Sequence, residues 1–202
     1  KVIMFFNLNK YSYIIFIIVS FAIHSFASWF NIGFYSQDEH FQILSPVEYL
    51  LGLNDEFRIE IWEFSEKYKI RPWFQSYIFY YIIIFLKFIH INNPFVWVFI
   101  IKFLCSSLAF ASVIYFYTTF KNRLFRDSKF NRFFIILFCL YPFLRSRTSS
   151  ENLGMTFFIF GFIFLDFLLN CKNRNKIYNL CLLTGLFFGL AIIIRYQLVI
   201  FV

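Results

Sequence analysis

With 202 residues, 60% of them hydrophobic, 35 of them Phe, and only 15% charged, the chain lies far outside the composition of a soluble globular domain. A net charge of +8 set among so much Phe and Ile excludes a nucleic-acid binder, whose Lys and Arg would line one solvated element. It points to basic loops held on the cytoplasmic side of a membrane.

A spanning helix needs about 20 mostly apolar residues. Residues 11–29, YSYIIFIIVSFAIHSFASW, supply nineteen without a formal charge. The run is too long for a signal-peptide core and lacks a small-residue cleavage site after it, so it reads as a retained anchor. His24 inside it reads as an interior histidine with its hydrogen bonding met. Residues 36–73 then hold eight of the eleven acids: Asp38, Glu39, Glu48, Asp55, Glu56, Glu60, Glu63 and Glu66. A polar island in a lipid-soluble chain is where chemistry is sought.

Next comes the apolar stretch 76–91, then a break at HINNP and a second span over 94–120. KNRLFRDSKFNR follows with five bases and one acid. Residues 133–144 form a rising span that ends in RSRTSSEN. Residues 153–170 descend, CKNRNK adds three bases, and 177–194 is the last span, ending at Arg195, Tyr196 and Gln197. If 76–91 crossed the membrane, both basic loops would lie outside, against the positive-inside rule. Laid along the outer interface, it puts both loops inside. The acidic island, RSRTSSEN and the Arg195 turn then share the outer face.

Within the spans, the Gly185/Gly189 pair and Gly154 with Gly161 predict close helix contacts. Asp166 reads as lying near the inner end within reach of water, and Lys102 as snorkelling outward. The four cysteines, Cys105, Cys139, Cys171 and Cys181, lack ligand-type spacing and read as core residues. Because the chain starts at Lys1 and stops within an apolar run, it is expected to be a piece of a longer protein.

An acid pair just past the first span suits a general base acting on a hydroxyl; the competing reading has Asp38 capping a helix through FQILSPVEYLL. Trp62, Glu63 and Trp73 suit a lipid interface, and Arg71, Arg145, Arg147 and Arg195 suit an anionic, lipid-borne substrate.

SQDEHFQ, then IWEF, then KIRPW, with RTSSEN further on, together resemble the membrane mannosyltransferases of glycosyltransferase family 22, which build lipid-linked oligosaccharides and glycosylphosphatidylinositol anchors on a GT-C fold. The likeness covers about residues 10–200. Ser36 and Gln37 stand where that family usually has His and Pro, Glu151 where it has Asn, and Gly154 where Glu is common. The resemblance implies an all-α polytopic transmembrane bundle of GT-C type across 1–202, with an extracytoplasmic loop at 31–92 carrying interfacial helices and catalytic residues. It implies an inverting transfer of mannose from polyprenyl-phosphate mannose to a glycan or glycolipid acceptor.

Asp38 is then the expected base, with Glu39 orienting the acceptor or sharing that role. Gln42, Trp62, Glu63, Arg71, Arg147, Arg195 and Gln197 are the expected substrate contacts. No cofactor or metal is called for, although Asp38 and Glu39 are placed to hold a metal. The implied membrane is that of the endoplasmic reticulum in a eukaryote or the inner membrane in a bacterium. The alternatives are a GT-C transferase for another sugar, a transporter or flippase of lipid-linked solutes, and a structural subunit.

Overall fold

Long uncharged runs leave a lipid-embedded backbone no hydrogen-bond partner but itself, so they fold as helices. The computed structural model describes residues 10–31, 39–53, 72–124 and 141–202, and among these there is no strand. In chain order come α1 (Lys10–Phe30), a π-helical turn (His40–Leu44), α2 (Ser45–Leu50), α3 (Phe74–Phe88), α4 (Pro94–Leu124), α5 (Pro142–Arg145), α6 (Ser150–Leu169), α7 (Arg174–Ile194) and a 3-10 turn (Tyr196–Phe201). Pro94–Phe120, Ser150–Leu169 and Lys176–Ile194 are long and apolar enough to cross a membrane. The 21 residues of α1 span about 31 Å, the thickness of a hydrocarbon core.

Along α1 the buried face is polar and the exposed one apolar. Ser20, His24 and Ser28, one turn apart on α1, are buried, whereas Ile15, Ile18, Phe26 and Phe30 are exposed. Each buried group bonds along its own helix: His24 Nδ1 lies 2.7 Å from the Ser20 carbonyl, and Ser28 Oγ donates to the His24 carbonyl at 2.8 Å. His24 is thus the satisfied interior histidine that the sequence suggested.

Ring contacts set the helix directions. Phe21 and His24 meet Phe110 while Trp29 meets Phe99, so α1 and α4 are antiparallel. Leu153 packs with Ile101 and Cys105, and Ile163 packs with Tyr117 and Phe120, so α4 and α6 run the same way. Antiparallel α6 and α7 join Gly154 to Arg195 and Gly161 to Phe188. The chain leaves α4 at one end of the bundle and reappears at Tyr141 at the other. Of the rising span expected at 133–144, residues 133–140 lie outside the described ones.

Both ends of α3 stay at a single end of the bundle. Its start is held by Gln75 Nε2, which donates to the Thr148 carbonyl at 2.7 Å, and its end by Lys87, 5.0 Å above the Trp97 ring near the start of α4. The turn between α3 and α4 has a clear local cause. His90 takes φ +64°, its N–H bonds to the Lys87 carbonyl, and Ile91 N–H bonds to the Leu86 carbonyl. That double closure ends a helix and reverses the chain. Asn93 Oδ1 then accepts from Phe95 N–H at 2.9 Å, and Pro94 opens α4. A similar proline effect shapes the acidic segment: Pro46 has no N–H for the Gln42 carbonyl, and the turn just before it widens to the π spacing.

Of the packing glycines, Gly154 and Gly161 make the close contacts expected, and the Gly185/Gly189 pair does not among the described residues. Nothing lies within 4 Å of a Cβ built on Gly185 or Gly189, so that pair makes no close helix contact among the described residues. On Gly161 the added atom would sit 2.7 Å from the Phe188 ring, and on Gly154 it would sit 3.0 Å from Arg195 Cβ. Gly161→Leu is therefore expected to cost about 1–3 kcal/mol by overpacking, with Gly185→Leu near neutral, as read from thermal unfolding in detergent. Equal melting of the two variants would contradict this packing.

Candidate active site

Polar groups gather at the two opposite ends of the bundle. At one end Arg123 pairs with Asp166, and Lys172, Arg174 and Lys176 follow directly after α6. Asp166 is thus near a helix end as expected, and Arg123 of the first basic stretch lies at the same end as the second. At the other end stand Glu39, Arg147, Thr148 and Arg195.

The centre of that second cluster is the carboxylate of Glu39, only 1% exposed although it begins a short helical segment beside the acidic loop. Its Oε1 accepts from both Thr148 N–H and Thr148 Oγ1, each at 2.8 Å, and its Oε2 faces Arg147 Nη1 at 3.5 Å. The Arg147 guanidinium lies 4.2 Å from the Phe143 ring centre. Burial pushes the pKa of Arg147 down and the Glu39 charge opposes that shift. Arg145 is likewise lowered by burial.

Uncharged side chains fix this pair. Ser149 Oγ accepts from Asn152 N–H to start α6, and Asn152 Nδ2 donates to the carbonyls of Arg145 and Arg147 at 2.8 and 2.9 Å. Asn31, at the end of α1, donates through Nδ2 to the Phe143 carbonyl at 3.2 Å and to Ser146 Oγ at 2.7 Å. Lys102 Nζ donates to the Asn31 carbonyl at 2.6 Å. Lys102 is buried rather than snorkelling outward, because a carbonyl and the nearby Glu39 charge meet its ammonium inside the bundle. Four chain segments more than a hundred residues apart at their extremes are tied here: the ends of α1 and α4, the Glu39 turn and the 143–152 stretch.

Arg195 stands at the edge. Its Nη1 pairs with Glu151 Oε1 at 2.7 Å and bonds Ser150 Oγ at 3.3 Å, with about a quarter of the side chain exposed. The backbone at Gly154 lies against Arg195 Cβ, which explains why this chain has no room there for a longer side chain. Gln42 is half-buried in the π turn and Gln197 is exposed on the final turn. Asp38, Trp62, Glu63 and Arg71 lie outside the described residues. The structure therefore joins Glu39 to Arg147 and leaves Arg195 as the guanidinium nearer solvent. Of the cysteines, Cys105 is buried as expected, Cys171 is half-buried and Cys181 is exposed, while Cys139 lies outside the described residues.

Beside Glu39 is a cavity of about 500 Å³ between α1, the π turn and the start of α4. Trp29, Phe95 and Phe99 supply its apolar wall, and Asn31, His40 and Lys102 its polar one. Sequence reasoning passed over Thr148, Gln75 and Asn31, uncharged residues whose partners are distant in the chain.

An all-helical bundle with membrane-spanning helices and a buried acid–guanidinium pair at one end defines a polytopic membrane protein with a site at its boundary. Over residues 13–202 the chain matches the Alg9-like mannosyltransferase family, and it belongs to that family. It is a glycosyltransferase of the mannosyltransferase type. No curated protein and no solved structure matches it.

Proposed function

We infer that the protein transfers mannose from a polyprenyl-phosphate carrier to a glycan or glycolipid, by one inverting displacement on the extracytoplasmic or luminal side. The observation that carries this is the fastening of Glu39 to Arg147 and Thr148 at the end of the bundle away from the basic stretches. With those stretches on the cytoplasmic side, the Glu39 end faces outward.

The acceptor hydroxyl attacks the anomeric carbon as the bond from that carbon to the phosphate oxygen breaks. The electron pair leaves with the phosphate, whose anion is stable near neutral pH, so no acid need protonate it. The hydroxyl proton goes to a base. Glu39 has both oxygens engaged, which supports its sequence neighbour Asp38 for that role. The charge growing on the phosphate calls for a cation, and Arg195 and Arg71 are the candidates, with Arg147 acting from behind as the partner of Glu39. Gln42, Trp62, Glu63 and Gln197 complete the proposed substrate face.

The test presents membranes holding the intact protein with labelled polyprenyl-phosphate mannose, polyprenyl-phosphate glucose or nucleotide mannose. Label is expected to move only from the first. Transfer from carrier-bound glucose, or from nucleotide mannose without a carrier, defeats this reading.

A further inference from the structure

The cavity beside Glu39 has a chemistry of its own. Its polar wall mixes signs: Lys102 offers donors, Glu48 a carboxylate and His40 an imidazole.

An anion would need donors only, and Glu48 would repel it. Hydroxyl groups both donate and accept, so several of them on one ring match this wall. Trp29, Phe95 and Phe99 offer flat apolar faces to the C–H side of such a ring, and Trp29 and Phe99 already meet edge to face with centroids 4.9 Å apart. The volume lies in the range of about 300–1,000 Å³ usual for ligand pockets. We propose that this cavity holds the hydroxyl-rich sugar end of the acceptor, with Glu48 accepting from its hydroxyls and Lys102 donating to them. It rests on the transferase reading and gives that reading a place for its acceptor.

Trp29 makes binding visible without any transfer. The intact protein in nanodiscs is titrated with a free mannose disaccharide and, separately, with sugar-free polyprenyl phosphate, following tryptophan fluorescence. The disaccharide is expected to change the signal saturably, Trp29→Phe to remove that change, and Glu48→Gln to weaken binding about tenfold or more. A response to the sugar-free phosphate alone, no response to either, or a disaccharide response untouched by both variants overturns the assignment. Disaccharide binding that meets all three expectations, in a protein that transfers no carrier-bound mannose, upholds the cavity and overturns the donor reading.

Discussion

Asp38→Asn is expected to lower mannose transfer by about 10²–10⁴-fold, the range over which a positioned base accelerates a proton transfer. Asparagine keeps the size and one accepting oxygen of the side chain but has no basicity, so what disappears is the sink for the acceptor's proton. The rate loss is expected in kcat, with little change in the KM for either substrate, because the proton moves only as the acceptor attacks. The protein is expected at wild-type abundance and with wild-type melting. With those controls met, the rate separates a chemical role from the competing reading of Asp38 as a helix cap, because asparagine caps about as well as aspartate and would leave both melting and the rate per folded molecule alone. Equal transfer by Asp38→Asn and wild type at matched abundance removes Asp38 from the mechanism.

The two ends of the bundle were readable from charge because basic loops and an acidic island are large, local features. The placement of α3 along one end followed from the same bias, and the Asn93–Pro94 start and the His90 turn supply its local cause. The spans at α1, α4, α6 and α7 were legible for a similar reason, since hydropathy accumulates over about 20 residues. What the sequence hid is the lattice of single hydrogen bonds. Thr148, although inside the RTSSEN motif, reaches Glu39 across 109 positions and Gln75 reaches Thr148 across 73, and nothing local names either partner. The Gly185/Gly189 spacing misled for a related reason: it records that two small residues share a face, not what that face meets. Lys102 misled because a lone Lys in a span ordinarily reaches for water, and only the fold supplies the Asn31 carbonyl that keeps it inside.

Glu39→Ala is expected to destabilise the protein by about 3–5 kcal/mol, the cost of leaving one member of a buried ion pair behind. That is a large share of the roughly 5–15 kcal/mol that holds a typical domain together. Arg147, 3% exposed, would lose its carboxylate, and Thr148 would lose the acceptor of both its N–H and its hydroxyl. Glu39→Gln separates the two losses. The amide oxygen still accepts from Thr148, but the charge facing Arg147 is gone, so its cost falls below that of alanine. Adding Arg147→Met to Glu39→Gln removes the stranded cation, and the double variant is expected to recover part of the stability lost by the single one. Non-additive unfolding free energies in this cycle, measured in detergent, report the coupling directly. If, as proposed, Asp38 takes the proton and Glu39 fastens its own segment to Thr148 and Arg147, Glu39→Gln should lose stability more than turnover per folded molecule, the reverse of Asp38→Asn. Wild-type stability in Glu39→Ala would mean that this pair does not fasten the outer segments, and the geometry assigned to the site would fall with it.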